Sequence, residues 1–358
     1  METSFSMNGG DGPNSYTQNS KIQKEGNDQA KASLSNSIQE KLIIQNHSSA
    51  EKPQVFSIAD LGCSVGPNTF ACVNTIIEAV RLKFQTHGSE SILPEFHVFF
   101  NDHVANDFNT LFRSLPLNRE YMAAGVPGSF CGRLFPKASM NLMHSAFALH
   151  WLTKIPEELT DKESPAWNKG RITYVGSSND VIEAYTAQFL RDMEDFFTAR
   201  TVELVNNGLL AILILCRPEG TKPSESTIMQ GFDRLGHAFT EMAKEGLLSE
   251  ALVDSFNLPI FIPNASEVKK VVSSIQHLSI EKLEEIYYPT KIVTHEDARV
   301  SSLHIRAAME GLIRQHFGNK IIDEIFKRFI RKLHEFSKTP RHLQDGILFL
   351  LVKCNAIP

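Results

Sequence analysis

The sequence has few cysteines, no long apolar run, no basic excess and no internal repeat, and each lack excludes a class of protein. Its five cysteines (Cys63, Cys72, Cys131, Cys216, Cys354) are odd in number and scattered, with no CxxC or Cys/His ligand spacing. That excludes a disulfide framework and a zinc site, and a reducing, cytoplasmic compartment is expected. The longest apolar run, Leu209 to Cys216, is eight residues, where a membrane span needs about 20. No charged-then-apolar segment opens the chain, so neither a secretory signal nor a membrane role is expected. Lys and Arg total 36 against 41 Asp and Glu, a net charge of −5 with both signs interspersed. A nucleic-acid partner, which calls for a basic face, is therefore not expected.

What remains is an ordinary soluble composition, 42% hydrophobic and 22% charged, in 358 residues. That is enough for one large domain, or for a domain with a cap. The chain is organised around Phe56–Asn68, in which an apolar run ends at Gly62 and Gly66 and a helical pattern follows. Strand, glycine turn, helix is the geometry that brings a backbone close to a nucleotide-like ligand.

Residues 1–14 read as a flexible N-terminus, and Ser15 to about Gln45 as a helix with Ala30, Leu34, Ile38 and Leu42 at four-residue intervals. Strands are expected at Val55–Leu61, Phe96–Phe100, Asn141–Phe147 and Leu209–Leu215, with helices at Asn68–Phe84, Asn106–Leu115 and Val181–Val205. Gly208 reads as the stop of the last helix, and Gly125–Phe130 as loop. This alternation argues a parallel α/β sheet. Helices then dominate (Thr227–Glu245, Ser249–Phe256, Ala265–Ser274, Ser301–His316, Lys320–Phe336) until a final strand at Ile347–Val352. Residues 15–217 with 340–358 are thus expected to form a ligand-binding α/β domain, and 218–339 a mainly helical cap.

Asp60 and Asp102 close the first two strands, where ligands bind in open α/β sheets. Asp102 lies 40 residues beyond Gly62, against about 20 in the dinucleotide fingerprint, which disfavours NAD. Asp60-x-Gly62-x-Ser-x-Gly66 fits the acidic-glycine pattern of S-adenosylmethionine enzymes, in which a carboxylate faces a cationic amino acid and a sulfonium. The same residues also match G-x-S-x-G, the elbow of α/β serine hydrolases, with Ser64 as nucleophile. Only one strand precedes Ser64, and no oxyanion motif does. Gln23, His150 and Trp151 offer donors for an acceptor pocket, although taken alone Trp151 reads better as core packing and His150 as a satisfied structural imidazole.

Together these motifs resemble the plant SABATH methyltransferases. The resemblance runs from about Met7 to Lys353 and rests on Met7–Tyr16, Ala59–Thr69, Phe100–Asn109, Gly125–Phe130, His144–Trp151 and Asp254–Pro259. It implies a class I methyltransferase, a Rossmann-like, mostly parallel α/β sheet with an α-helical cap, acting as a homodimer with S-adenosyl-L-methionine. It implies that Tyr16, Ser20, Asp60, Cys63 and Asn68 hold the methionine end, that Asp102 holds ribose, and that His103, Ser129 and Phe130 surround adenine. It places the acceptor against Gln23, Phe147, His150, Trp151, Ile305 and Ala308. For members that bind magnesium, the matching positions are Asn168, Asp254, Phe256 (by its carbonyl) and Asn257. The implied reaction is methylation of the carboxylate of a small lipophilic acid. An acid of pKa about 4 is already ionised at pH 7, so no acid/base residue is required. N-methylation of a purine is the alternative inside the family.

Overall fold

The structure, a computed structural model, describes residues 6–44, 55–86, 93–286, 294–338 and 345–355. Helices α1 (Tyr16–Asn19) and α2 (Lys21–Lys41) precede strand β1 (Val55–Leu61). Then come α3 (Pro67–Thr86), β2 (Glu95–Asp102), α4 (Phe108–Arg113), β3 (Tyr121–Pro127), β4 (Met140–Ala146), α5 (Asn179–Glu203) and β5 (Leu204–Cys216). The remainder is α6 (Thr227–Lys244), α7 (Glu250–Asp254), α8 (Ala265–Ser274), β6 (Leu278–Ile286), α9 (His295–Phe317), α10 (Ile322–Ser337) and β7 (Gly346–Cys354).

The seven strands form one sheet in the order β3-β2-β1-β4-β5-β7-β6. The first five run parallel, while β7 is antiparallel to both β5 and β6. Strand order reverses between β1 and β4, so the turns after these two strands flank a crevice of the kind that binds ligands. Along β1, Phe56 and Ile58 join the core under α2 and α3, whereas Ala59 and Leu61 join the core under α5 and the cap. Burial on both faces is what its largely apolar run calls for. Among the described residues no helix is long and apolar enough to cross a membrane.

The expected α/β alternation is present, and the differences lie at edges and junctions. Residues 8–14 are not loose. The Asn8 N–H donates to the Ala307 carbonyl at 2.8 Å, and the Gly10 N–H to Asp107 Oδ2 at 2.9 Å. The expected first helix breaks at Ser20 into α1 and α2. Gly208 stops no helix, because α5 runs directly into β5 at Leu204. Gly208 sits where the β4–β5 register shifts, and a Cβ there would lie 2.9 Å from the Val205 carbonyl. It is a bulge glycine. Gly125 and Pro127, read as loop, belong to β3, an edge strand where such residues are tolerated. Residues 278–286, expected within the helical cap, form β6 at the other edge of the sheet. Helix α9 starts six residues before the expected Ser301, at a capping box of Thr294 and Asp297.

Two buried clamps join cap to sheet. Arg217, just after β5, bonds both carboxylate oxygens of Glu267 on α8 at 2.7 and 2.8 Å. Asp345, just before β7, accepts from Ser226 Oγ at 2.6 Å and from the Ile228 N–H at 2.8 Å.

Gly26 sets how closely α2 approaches the site. A Cβ there would lie 2.5 Å from Phe147 Cζ and 2.9 Å from Ile347 Cδ1. Alanine improves helix propensity by about 1 kcal/mol, but overpacking costs about 1–3 kcal/mol. Gly26→Ala is therefore expected to lower stability by about 1 kcal/mol and to raise the acceptor KM by displacing Phe147. Denaturant melts and steady-state kinetics check both; a more stable variant with unchanged KM would contradict the packing argument.

Candidate active site

The turn after β1 is the floor of the site. Gly62, Ser64 and Gly66 all have left-handed φ (81°, 52° and 139°). At Gly62 a Cβ would stand 2.5 Å from the Cβ of Ala148, so glycine is what lets the β1 and β4 turns pack together. The Gly62 and Cys63 N–H groups both donate to the Asn101 carbonyl at 2.9 Å. Asp102 braces the turn from β2. Its carboxylate accepts from the Ser64 N–H and the His103 N–H, each at 2.7 Å. Burial raises the Asp102 carboxyl above the usual range, and the two N–H donors oppose that shift. Helix α3 starts at Pro67, directly after this turn, where proline suits a first helical position.

Asp60 is buried and doubly engaged. It accepts from the Thr69 hydroxyl of α3 and from His144 Nδ1 of β4, the latter at 2.8 Å. Neither Thr69 nor His144 stood among the expected site residues. A small cleft of about 30 Å³ lies beside them, lined by Tyr16, Asp60, Cys63 and Asn68 of the expected methionine set, together with Gln23, Asn27 and His144. Ser20 joins the set through its carbonyl, which accepts from Asn68 Nδ2 at 3.0 Å. Burial, and after it the nearby Asp102, pushes the Tyr16 phenol up, so it stays protonated.

The hydrolase reading of Ser64 fails here. Its hydroxyl is buried without a hydrogen-bond partner, and the Asp–His pair in the cleft is bonded to Thr69 instead. A serine nucleophile needs a base within hydrogen-bond reach.

A second cavity, of about 170 Å³, opens between the sheet and the cap. All six expected acceptor residues line it: Gln23, Phe147, His150, Trp151, Ile305 and Ala308. Apolar side chains, among them Ile22, Leu215, Phe232 and Leu333, supply much of the rest. Tyr16, Gln23 and Phe147 border both this cavity and the small cleft, so the two meet there. Ile347 lies outside this cavity, buried between α2 and the sheet.

The turn after β4 presents His150 and Trp151 and is pinned from several sides. Phe147 takes a left-handed φ of 56° and donates its N–H to the Leu213 carbonyl at 2.8 Å. Strained backbone of this kind persists only where its surroundings hold it. The Phe261 N–H donates to the His150 carbonyl at 3.0 Å, and the Leu152 N–H to the Pro259 carbonyl at 2.8 Å. Asp192 on α5 accepts from both the N–H and the hydroxyl of Thr153. Among the described residues the Trp151 indole N–H has no hydrogen-bond partner, whereas the Gln23 amide nitrogen meets His304 Nε2 at 2.9 Å. His304, another residue not expected from the sequence, also lines the cavity. Burial pulls the His150 imidazole down to about 3, helped by His304, and pulls His304 down to about 4. Both rings are neutral at pH 7.

Of the expected adenine residues, Ser129 and Phe130 come from the 128–135 loop. The Gly128 N–H donates to the Asp102 carbonyl at 2.9 Å. The Phe130 ring stands edge-on to Phe196 and 3.4 Å from a Cβ placed on Gly62. The fully buried Arg200 donates to the Phe130 and Gly132 carbonyls and pairs with Glu203, which in turn accepts from the Leu134 and Phe135 N–H groups. Ser129 opens onto a shallow groove with Cys131 and Arg133, while His103 is half-buried beside Asp102.

The expected magnesium residues gather but do not fit an ion as they stand. Asn168 Nδ2 donates to Asn257 Oδ1 at 2.7 Å, Asn168 Oδ1 accepts from Ser177, and Asp254 accepts from the Gly170 N–H. Oxygen donors suit a hard cation, but both asparagine oxygens and one Asp254 oxygen are engaged with the protein itself. The Phe256 ring packs on Phe239 and Phe317. Among the described residues no three His, Cys, Asp or Glu side chains converge as a metal site, and no step is routed through a metal.

A glycine turn braced by a strand-end carboxylate, a crevice at the point where strand order reverses, and an adjoining capped cavity define a class I methyltransferase. The comparisons with known proteins narrow this further. The profile of a family described as SAM-dependent carboxyl methyltransferases matches residues 2–353, and the chain belongs to that family, the SABATH methyltransferases. It is 43% identical over 354 residues to loganic acid O-methyltransferase of Catharanthus roseus, covering 97% of this chain and 93% of that protein. It is 38% identical over 353 residues to farnesoic acid carboxyl-O-methyltransferase of Arabidopsis thaliana, covering 98% and 99%. A solved structure of loganic acid methyltransferase with SAH superposes with a TM-score of 0.91 at 42% identity, covering 98% of this chain and 99% of that one. The chain is an enzyme that uses S-adenosylmethionine to methylate a carboxylate.

Proposed function

We propose that the acceptor is a small acid with a largely apolar body, and that Gln23 and Trp151 hold its carboxylate where the cavity meets the cofactor cleft. The observation that carries this is the shared border. Gln23 faces both spaces, and apolar side chains from both the sheet domain and the cap wall the larger one. Ala308 leaves room for a body larger than a single benzene ring. The residues around the β1 turn fit the cofactor: glycines where a side chain would intrude, Asp102 for a diol, and Asp60 near the methionine end. S-adenosylmethionine, when bound, supplies an electrophilic methyl group. The protein contributes orientation and exclusion of water, and two neutral donors aim one carboxylate oxygen without masking it as an ion pair would. The five free cysteines, four of them buried, fit a reducing cytoplasm. The enzyme is proposed to act as a homodimer, which sedimentation tests.

The direct experiment incubates the purified protein with labelled-methyl S-adenosylmethionine and a panel of isoprenoid, iridoid and aromatic acids beside xanthines. Label released as a volatile ester on base treatment is expected from an acid. Base-stable label on a xanthine would replace this reading with N-methylation. With His150 and His304 neutral and the acceptor ionised, kcat/KM is expected to stay flat from about pH 6 to 8 and to fall below that range as the acceptor, near pKa 4, takes up its proton. An inflection between about pH 7 and 9 would point to deprotonation of a nitrogen acceptor.

A further inference from the structure

His304 stands on α9, one residue before Ile305 and one turn before Ala308. Its Nδ1 lies 3.1 Å from the Asn19 carbonyl oxygen at the end of α1, and its Nε2 lies 2.9 Å from the amide nitrogen of Gln23 on α2. We propose that His304 is the positioning residue of the carboxylate clamp: it fixes which end of the Gln23 amide meets the acceptor. This rests on the reading of Gln23 as a carboxylate donor.

The argument is one of donors and acceptors. A carbonyl oxygen only accepts, so the hydrogen must sit on Nδ1 of His304. A neutral imidazole carries one hydrogen, which leaves Nε2 as a bare lone pair. That lone pair can only accept, so Gln23 must turn its NH2 toward it. An amide whose two ends are otherwise nearly equivalent is thereby given one orientation. One N–H of Gln23 is spent on His304 and the other remains for the acceptor. Gln23 Oε1 is buried and finds no partner. Without His304 nothing described here would keep that oxygen from turning toward an incoming carboxylate, where two acceptors would repel. The groups facing the ring are the Asn19 carbonyl, the Gln23 amide, the Tyr16 ring at 6.5 Å and His150. Burial among them keeps the ring neutral. Because Gln23 and His304 belong to the sheet domain and the cap, the clamp is set only when the cap is seated.

Two substitutions separate hydrogen bonding from shape. Glutamine at this position retains both functions, an N–H for the Asn19 carbonyl and a carbonyl for the Gln23 amide. Leucine retains bulk and loses both. His304→Leu is expected to raise the acceptor KM by about ten-fold or more, the worth of a hydrogen bond to a charged group. Its kcat should change less than KM, and S-adenosylhomocysteine affinity by calorimetry should stay close to wild type. His304→Gln is expected to restore most of the lost KM. A second readout needs no turnover: nitrogen-15 NMR of histidine-labelled protein, assigned by loss of the signal in His304→Leu, should show the neutral Nδ1–H tautomer. If the wild type methylates none of the acids, the proposed function fails while the tautomer measurement still stands. A wild-type KM in the leucine variant, a glutamine variant as impaired as leucine, or an Nε2–H or charged ring would each overturn the role of His304.

Discussion

Asp102→Ala is expected to weaken S-adenosylhomocysteine binding by about a hundred-fold or more, the loss of two hydrogen bonds to a charged group at about 1.5–3 kcal/mol each. The side chain does two jobs at once. It offers a half-buried carboxylate at the end of β2, and it holds the Ser64 and His103 N–H groups at 2.7 Å. Alanine removes the acceptor for a ribose diol and frees the left-handed turn at Ser64 to relax. Asp102→Asn retains one acceptor oxygen but must turn an NH2 toward one of two N–H donors, so an intermediate loss is expected. The sign of the pH effect follows from burial. Because the Asp102 carboxyl is raised above the ordinary range, it takes up a proton at a higher pH than a solvated aspartate. The deprotonated form is the better acceptor, so affinity should decline as pH falls, and sooner than an exposed aspartate would dictate. Calorimetric titration at several pH values reads both effects, with circular dichroism to verify folding. Affinity within a few-fold of wild type for the alanine variant would remove Asp102 from the cofactor site.

The parts legible in the sequence are those whose chemistry is local. Strands β1, β2, β4, β5 and β7 are apolar runs long enough to declare themselves, and Ala30, Leu34 and Ile38 mark the buried face of α2 by spacing alone. Edge strands β3 and β6 are half-exposed and carry Gly, Pro or charged residues, so their pairing comes from neighbours and not from pattern. The α5–β5 junction was hidden because no cap or loop separates the elements, and Gly208 invited a helix stop where a bulge stands. The site divides in the same way. Glycines and strand-end carboxylates advertise a cofactor cradle, and the long motifs carried the acceptor residues. What remained unseen are partners made by the fold: Thr69 and His144 on Asp60, and His304 on Gln23, 281 positions apart. A faint signal for His304 existed. Ser301, His304, Ile305 and Ala308 share one helical face by spacing, so once Ile305 and Ala308 were assigned to the wall, the histidine between them belonged there too.

Gln23→Ala combined with Trp151→Ala is expected to lower kcat/KM for the acid by about a hundred- to ten-thousand-fold, the range for two hydrogen bonds to a carboxylate. Each donor is neutral, and each constrains a different part of the acceptor, so the single variants need not sum to the double. Alanine at 23 also strands the bare Nε2 of His304, and alanine at 151 enlarges the cavity beside Ile260, with which Trp151 forms an isolated bridge. The loss should appear in both KM and kcat: the carboxylate binds less tightly, and the fraction of bound acid aligned for in-line attack on the methyl group falls. Cofactor binding should change much less, because Asp102, Asp60 and the glycine turn remain. The decisive feature is pH. If these residues orient an acceptor that is already ionised, the loss should be the same at pH 6 and at pH 8. If one of them assisted proton removal, the deficit would shrink as pH rises and the acceptor loses its proton unaided. A double variant with undiminished kcat/KM would mean that the carboxylate is held elsewhere, and His150, whose Nδ1 is buried without a partner, would be the next donor to replace.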